Sequence, residues 1–458
     1  MELLLEKFIQ KNESLAEKNN VRKIAIDLFL NSRKSGEYID RLLNKSLKNS
    51  KLLLRDRNFL TELVKGTTRM GGLLEYYIQE LIKGNIKNLK IPLRYIMTTG
   101  LYQILYMDSV PTYAAINESV ELAKIYGNGK DSGLVNAVLR NFLRRRTELE
   151  NRIDSLPDDE RISVKYSHPL WIIKRWLKRF GVSDTEKSAE MNNIPPKVTI
   201  RKNNLLKKHP HLQKIDEMDE DSIVRSEILK NYYTFQRGLD TNSWDAIKEG
   251  EATIQDVSAG IPVVLLNPQP GETIIDLCSA PGGKTSAIAE LMNDEGKILA
   301  VDANKERLSL VEDQVKRLKL NCVELIHGDG RELSLPEADR ILIDAPCSGT
   351  GVLAKRSDLR WRKKKSDIKT LSSLQLELLK NASKSLKVGG VLVYSTCTIE
   401  PEENWEVIEE FLISEKTFEI ENAKKYITDR LVDSKGAVAT YPFKHYIDGS
   451  FCVRMRKY

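Results

Sequence analysis

The spacing of apolar residues changes along the chain and divides it into three parts. In residues 1–150, apolar positions recur every three or four residues, most clearly in 21–30, 91–107 and 114–126. That spacing is typical of amphipathic helices with one face buried. Because no convincing two-residue alternation interrupts it, we predict an all-α N-terminal domain of six or seven helices over residues 1–150.

Residues 151–240 show a mixed pattern. Helical periodicity follows Pro157 and Pro169, and the pair Pro195-Pro196 precedes a strand-like run at 197–201. Proline favours the first turn of a helix and stops a helix that precedes it. We predict a small α+β connecting domain over residues 151–240.

From residue 241 onward, short apolar strands alternate with helical segments. This alternation predicts an α/β domain over 241–458, with a parallel sheet covered by helices on both faces, as in Rossmann-like folds. We expect residues 451–455 to add an antiparallel strand at the edge. The five predicted parallel strands are 273–277, 297–301, 323–326, 340–343 and 391–394.

Composition favours a water-soluble protein. The chain is 41% hydrophobic and 30% charged, and its longest apolar run, residues 261–266, is far shorter than a membrane span. Acidic residues interrupt the first seven positions, unlike a signal peptide, so we expect a cytoplasmic protein with no membrane partner. The net charge of +7 mildly favours a polyanionic partner.

The cysteines favour chemistry over structural bonding. There are five, no pair has CxxC spacing, and the five histidines are scattered. This pattern argues against a disulfide framework, a structural zinc site and a zinc-dependent deaminase, so we expect no metal.

A glycine-containing turn follows the first predicted parallel strand. Glycines let the backbone approach a ligand, and the next helix offers free N–H groups. The turn lacks the glycine spacing of a triphosphate loop and of a dinucleotide fingerprint. We predict that it binds a cofactor through Cys278, Ser279, Ala280, Pro281, Gly282, Gly283 and Lys284.

Acidic residues end the next two strands. Asp302 could accept both ribose hydroxyls of a nucleoside, and Asp329 could accept a hydrogen bond from the adenine amine. Either residue alone could equally be an ordinary strand-end cap. Together with the glycine turn, they favour adenosine without a diphosphate, as in S-adenosylmethionine, and we include Arg307 and Asp344 in this cofactor site.

Two cysteines follow neighbouring predicted strands. Cys347 lies in Asp344-Ala345-Pro346-Cys347, and Cys397 follows the last parallel strand. A thiolate that adds to carbon 6 of cytosine activates carbon 5 for methylation. Asp344 is placed to donate a proton near N3, which would require a raised pKa. Chemistry alone leaves open which cysteine is the nucleophile.

A basic segment follows Cys347. Residues 355–365 carry seven cations around Trp361. Such a run is usually a solvated surface, but beside two candidate catalytic loops it favours contact with RNA phosphates and a flipped base.

The catalytic half resembles the Sun/Nop2 family of RNA 5-methylcytosine methyltransferases. The resemblance covers most of residues 253–457 and rests on Gln255-Asp256, residues 267–272, the turn 278–284, and the motifs 344–351, 395–398 and 401–404. It implies a class I fold that binds S-adenosylmethionine. It further implies that Cys397 forms the covalent adduct and that Cys347 helps release the product, whereas DNA cytosine methyltransferases use the cysteine that follows proline.

The helical half narrows the resemblance. Residues 113–124 and 133–140 are similar to a NusB-type RNA-binding domain. This fusion implies a methyltransferase of bacterial 16S ribosomal RNA, acting on the RNA itself or on a small-subunit assembly intermediate, and we expect the connecting domain 151–240 to contribute to RNA binding. We expect the protein to be a monomer. Two departures are Ser279, where alanine is commoner, and Lys355-Arg356-Ser357-Asp358, which lacks the usual proline. The rivals are an RNA-binding antitermination module and a transfer-RNA methyltransferase of the same family.

Overall fold

The computed structural model describes residues 20–213, 215, 218–219, 221–236 and 244–458. The expectations for residues 1–19, helical character and no signal peptide, lie outside the described residues. The chain forms two compact units. One extends to Ile194 and includes 356–362, and the other contains 195–355 and 363–458.

The first unit is helical. A single apolar core joins its helices, and Asn20 caps the first of them through the backbone N–H groups of Arg22 and Lys23. Six helices begin before residue 150 in the described part, which confirms the all-α prediction: Val21–Ser35, Ile39–Asn49, Leu54–Leu81, Ile91–Tyr106, Thr112–Tyr126 and Gly129–Asp154.

This unit extends beyond the predicted boundary at residue 150. The helices Asp158–Lys165 and Leu170–Met191 belong to it, and the second is interrupted at Gly181, which has a φ of 76°. Only glycine adopts that conformation readily. The helical part of the predicted connecting domain therefore lies with the N-terminal helices.

The second unit begins with a small antiparallel sheet. Its strands are β1 (Thr199–Lys202), β2 (Ile223–Arg225), β3 (Tyr232–Phe235) and β4 (Ala252–Ile254), in the order β2-β3-β1-β4. The sheet crosses the predicted boundary at 240/241, because β4 pairs with β1. The boundary that the strand and helix pattern predicted at 240/241 therefore falls inside this small sheet.

The larger sheet has eight strands. Its order is β10-β12-β9-β8-β5-β6-β7, with β11 paired to β12. Strands β5 to β9 are parallel to one another, as predicted. The strands are β5 (Thr273–Leu277), β6 (Lys297–Asp302), β7 (Val323–His327), β8 (Ala338–Asp344), β9 (Leu386–Thr396), β10 (Phe418–Glu421), β11 (Val438–Thr440) and β12 (Ser450–Lys457).

Helices flank this sheet in the second unit. The longer ones are Val257–Leu266, Gly283–Leu291, Lys305–Leu318, Lys365–Lys384 and Trp405–Ser414. Two apolar clusters surround the central strands, so the sheet is buried on both faces. Together with the parallel strand order, this arrangement confirms the predicted Rossmann-like class.

The last strand is not at the edge. Strand β12 is antiparallel, as expected, but it pairs with β9 on one side and with β10 and β11 on the other. The prediction of an edge strand was therefore wrong. The short strands that cover it, Phe418–Glu421 and Val438–Thr440, carry too weak an alternation to be recognised in the sequence. None of the helices in the described residues is both long and apolar enough to span a membrane.

Candidate active site

The predicted site residues follow the carboxyl ends of neighbouring strands. Strand β5 lies between β6 and β8, and β8 lies beside β9, with Asp344 in register with Ser395. The turn after β5 and the two cysteine loops after β8 and β9 therefore leave the same edge of the sheet. Ligands of open α/β sheets bind at such an edge.

The turn after β5 is held by backbone hydrogen bonds. Ser279 N donates to Val301 O (2.9 Å), and Gly282 N donates to Ser279 O (2.8 Å). Gly282 has a φ of 98°, and a Cβ there would lie 3.1 Å from Val311 Cα. A side chain would therefore be strained and crowded against the helix Lys305–Leu318. The Ala280–Pro281 peptide bond is cis.

Asp302 and Arg307 hold the middle of this turn. The Asp302 carboxylate accepts hydrogen bonds from Ala280 N (3.2 Å) and Asn304 N (2.9 Å), and Arg307 Nη2 donates to Ala280 O (2.7 Å). Asp302 is buried. Both residues therefore shape the predicted cofactor turn.

Asp329 lies at the exposed rim of this edge. Its carboxylate receives two hydrogen bonds from the Arg331 side chain, at 2.6 and 3.0 Å, and these bonds lower the pKa of Asp329. A contact with adenine stays a prediction for this residue.

Asp276, inside β5, is a residue that the sequence reasoning missed. It is 0% exposed, and its Oδ2 accepts a hydrogen bond from Thr285 Oγ1 at 2.6 Å. Burial raises its pKa to about 7. Its Oδ1 and the Ser279 hydroxyl have no hydrogen-bond partner in the described part of the chain. Two unused polar atoms therefore lie buried in and beside the cofactor turn.

Lys284 and Asp344 connect the cofactor turn to the first cysteine loop. Lys284 Nζ lies 2.6 Å from Asp344 Oδ2, and Ser395 Oγ donates to Asp344 Oδ1 at 2.9 Å. Burial lowers the pKa of Lys284, but Asp344 outweighs it and the net pKa is raised. The Lys284 ammonium is therefore a second candidate proton donor at this edge, beside the predicted donor Asp344.

The two predicted catalytic thiols are in contact. Cys347 Sγ and Cys397 Sγ are 3.2 Å apart. The hydrogen bond to Cys397, followed by burial, holds the pKa of Cys347 well above its ordinary value. Lys284 lies within electrostatic range of Cys397. The pair is thus asymmetric, with Cys347 favouring the thiol form.

The other three cysteines have different surroundings. Cys322 and Cys452 are buried in the apolar core, as small apolar fillers would be. Cys278 belongs to the cofactor turn, where it has a φ of 65°, and burial raises the pKa of its thiol. Cys452 pairs with Ser395 in the sheet, and both Cys278 and Cys452 lie within electrostatic range of Asp344, but burial raises the pKa of both thiols and so favours their unreactive protonated form.

A network beneath the cofactor turn was also missed. Arg201, in β1, forms a buried ion pair with Glu290 at 2.8 Å and donates to Gly283 O at 2.9 Å. It also donates to Gln255 and Ser286. The small sheet therefore supports the first turn of the helix Gly283–Leu291. A lone arginine in a short strand carries no signal that would reveal this in the sequence.

Part of the basic segment after Cys347 is engaged within the protein. Arg360 is 0% exposed and donates to Ser167 O (3.1 Å) and to Asn192 O (2.9 Å) of the helical unit. The Trp361 indole donates to Thr68 O (3.0 Å). Arg356, Lys364 and Lys365 are exposed, so contact of this segment with RNA stays a prediction that rests on fewer cations than the sequence suggested.

Two further cations of this segment have protein partners. Arg362 donates to the carbonyls of Gly36 and Glu37, and Lys355 pairs with Asp256 at 2.5 Å and with Asp448 at 2.7 Å. A run of charged residues in the sequence does not reveal which of them pair within the protein and which are exposed.

No group of three or more side chains that could hold a metal ion is found in the described residues.

Family models match both halves of the chain. The model described as 16S rRNA methyltransferase RsmB/F matches residues 263–456, and the NusB family model matches residues 19–144. The probable ribosomal RNA small subunit methyltransferase B of Bacillus subtilis is 32% identical over 450 residues, which cover 96% of this chain and 99% of that protein. The chain belongs to the ribosomal RNA small subunit methyltransferase B family.

Other members and a solved structure agree with this assignment. The enzyme of the same name from Yersinia pseudotuberculosis is 36% identical over 400 residues, covering 86% of this chain and 90% of that protein. The crystal structure of PH0851 has a TM-score of 0.79 and 27% identity, covering 96% of this chain and 98% of that one. Membership confirms the resemblance and the fold class predicted from the sequence, a NusB-like helical domain joined to a class I S-adenosylmethionine-dependent methyltransferase domain.

Proposed function

We propose that this protein methylates carbon 5 of a cytosine in 16S ribosomal RNA, with S-adenosylmethionine as the methyl donor and Cys397 as the covalent nucleophile. The observation that carries this proposal is the pair of thiols 3.2 Å apart beside the Lys284–Asp344 ion pair. Methylation of carbon 5 needs a nucleophile that adds to carbon 6 and a second group that transfers protons, and two adjacent thiols can fill these two roles.

The electrostatics favour Cys397 over Cys347 as the nucleophile. The raised pKa of Cys347 keeps its proton on sulfur, while the ammonium of Lys284 lies near Cys397. A nearby cation favours the thiolate, which is the reactive form. The position of this cation supports the assignment of Cys397 that the family resemblance implies.

The cofactor turn is chemically suited to S-adenosylmethionine. The unused oxygens of Asp276 and Ser279 are buried polar atoms that a polar ligand can satisfy. Residues 278–284, with Asp302, Arg307 and Asp329, would hold the cofactor, and Lys284 and Asp344 link that site to the thiols. When bound, the cofactor supplies the methyl group to carbon 5.

The protein's own side chains carry the remaining steps. Cys397 Sγ forms a bond to carbon 6, and N3 of the base takes a proton from Lys284, which Asp344 holds in place. After carbon 5 is methylated, the carbon 5 proton passes to Cys347 Sγ while the Cys347 thiol gives its own proton to the Cys397 sulfur. The electron pair of the broken C–H bond reforms the 5,6 double bond, the bond between carbon 6 and Cys397 Sγ breaks, and N3 returns its proton to Lys284. Cys397 then loses its proton to solvent, which restores the starting state and accounts for the one proton that methyl transfer releases.

The substrate assignment comes from the relatives and the helical domain. The curated relatives are named as small-subunit ribosomal RNA methyltransferases, and the NusB match lies in the helical unit. Naked 16S RNA and an assembly intermediate both fit this proposal. A monomeric state and a cytoplasmic location stay predictions.

The proposal is tested with 16S RNA fragments that contain 5-fluorocytosine. The fluorine cannot leave as the proton does, so the methylated adduct is trapped, and we expect a denaturant-resistant complex with the wild type and with Cys347→Ala. Cys397→Ala should form none. The reverse pattern would exchange the roles of the two cysteines.

Assays with transfer RNA and with unmodified RNA fragments distinguish this proposal from the two rival functions, a transfer-RNA methyltransferase and an RNA-binding antitermination module. Labelled methyl transfer to transfer RNA but not to 16S fragments would favour the transfer-RNA enzyme. Binding of RNA with no methyl transfer to any unmodified fragment would favour the antitermination module.

A further inference from the structure

Glu403 is a buried carboxylate that contacts both cysteine loops. It ends the short 3-10 helix Pro401–Glu403 and is 0% exposed. Ser348, the residue after Cys347, donates its backbone N–H to Glu403 Oε1 at 2.7 Å and its hydroxyl to Oε2. Thr398, the residue after Cys397, donates to Oε2 at 3.2 Å.

A third element joins this contact. Gln375, on the helix Lys365–Lys384, donates to Glu403 Oε1 at 3.2 Å and to Pro346 O at 2.8 Å. Pro346 precedes Cys347, so the first cysteine loop is held on both sides of its thiol. The Ser348 and Thr398 hydroxyls also contact each other at 2.8 Å.

The carboxylate makes these contacts without a cation. Four donors meet its two oxygens, which is about the full capacity of a carboxylate. Among the described residues, no lysine or arginine forms an ion pair with it. Burying a carboxylate without a counter-ion is costly, so its retention points to a use that an apolar residue could not serve.

We propose that Glu403 is a positioning residue that holds the Cys347 and Cys397 loops at the separation the thiol chemistry needs. Its hydrogen bonds go to Ser348, Thr398 and Gln375 rather than to either sulfur, so it holds the loops through the residues that follow the two cysteines. This inference deepens the proposed function and rests on it for the reaction, but the sulfur–sulfur distance can be measured without RNA or cofactor.

A trivalent arsenical tests the distance directly. Phenylarsine oxide takes up two nearby thiols and releases one water, and its binding is tight only when both sulfurs can reach one arsenic atom. We expect Glu403→Ala to weaken this binding at least about tenfold, because misplacement by about 1 Å costs orders of magnitude in such geometries. Cys347→Ala supplies the one-thiol reference value.

The conservative variant and an exposed neighbour complete the design. Glu403→Gln keeps an oxygen for the Ser348 and Gln375 N–H groups, so it should recover most of the binding. Glu410→Ala, exposed on the helix Trp405–Ser414, should match the wild type. In methyl transfer to RNA, Glu403→Ala should lower kcat at least about tenfold and leave the KM for RNA unchanged.

The inference is overturned if Glu403→Ala, folded by circular dichroism, binds the arsenical as tightly as the wild type. If Glu403→Ala does not fold, Ser348→Ala decides, since it removes one of the four contacts and should weaken arsenical binding in the same direction. Unchanged binding in that variant also overturns the inference. A wild type that binds the arsenical but transfers no methyl group would refute the proposed function and leave the positioning role standing.

Discussion

The two sides of the site are held together in different ways. On the cofactor side, the turn after β5 is shaped by backbone hydrogen bonds and by Asp302 and Arg307, which lie at the end of the next strand and on the helix that follows it. On the thiol side, the two cysteine loops depend on side chains from other elements, chiefly Glu403 and Gln375. Apart from the Arg201 contact with Gly283, the first side is built from consecutive strand–turn–helix units, whereas the second depends on contacts between separate elements.

This difference follows from what each side must do. A cofactor turn has to present backbone groups, which local geometry can arrange. The separation of two thiols on different loops must be fixed to within a few tenths of an ångström. The local sequence of neither loop sets that separation. Lys284 is the point where the two sides meet, because it belongs to the cofactor turn and pairs with Asp344.

Among variants that test whether the cofactor side and the thiol side are separable, we expect Lys284→Met to cause the largest loss of activity. Loss of the ammonium removes the proposed proton donor and leaves Asp344 without its partner, so kcat for methyl transfer should fall by roughly 10²-fold or more. Binding of S-adenosylmethionine, measured by calorimetry, should change much less. Lys384→Met, on the exposed surface of the helix Lys365–Lys384, serves as the control. Equal losses in kcat and cofactor affinity would show that the two sides are not separable.

A smaller effect is expected for Asp302→Ala, confined to the cofactor side. Loss of two hydrogen bonds to a buried carboxylate, and of the proposed ribose contact, should weaken S-adenosylmethionine binding about 10- to 100-fold. Phenylarsine oxide should still bind the thiols as it does in the wild type. Asp313→Ala, exposed on the helix Lys305–Leu318, should leave both measurements unchanged. Weaker arsenical binding in Asp302→Ala would contradict the local character of the cofactor side.

The last effect is on stability rather than on activity or ligand binding, and it concerns Asp276. Its folded pKa of about 7 lies above the ordinary 3.8, so the folded state holds a proton that the unfolded state has lost between those pH values. The contribution is fully present below about pH 4 and is lost as pH rises towards 7, by roughly 4 kcal/mol in total.

Asp276→Asn copies the protonated form and should reduce this loss. Without cofactor, its Tm should fall less than that of the wild type between pH 5 and 8, as followed by circular dichroism. Asp313→Asn is the matched exposed control. Parallel Tm curves for wild type and Asp276→Asn would show that Asp276 is ionised in the folded protein.

The sequence predicted the parts of the site that depend on strand order. Cys347 and Cys397 each follow an apolar strand, and parallel neighbours end at one edge, so their proximity could be inferred. Asp302 was found for the same reason. The Rossmann-like and helical classes followed from apolar spacing, because burial imposes the same period on every element of one type.

The misses have a common physical cause. Glu403 lies 55 residues from Ser348 in sequence, and Arg201 lies 82 residues from Gly283, so neither contact leaves a local pattern. Strand β12 was predicted at an edge because the short strands that pair with it, β10 and β11, show little alternation of apolar and polar residues. The basic run at 355–365 looked exposed because charge alone does not reveal that Arg360 is buried.

The sequence by itself determined the fold classes, the family and the two thiols, since each depends on residue type and local spacing. Only the tertiary structure decided how the thiols are held and which of them keeps its proton. Those properties depend on distances of a few ångströms between loops, on burial, and on the charges of Lys284 and Glu403. Such terms arise when distant segments pack together, and no stretch of the chain contains them alone.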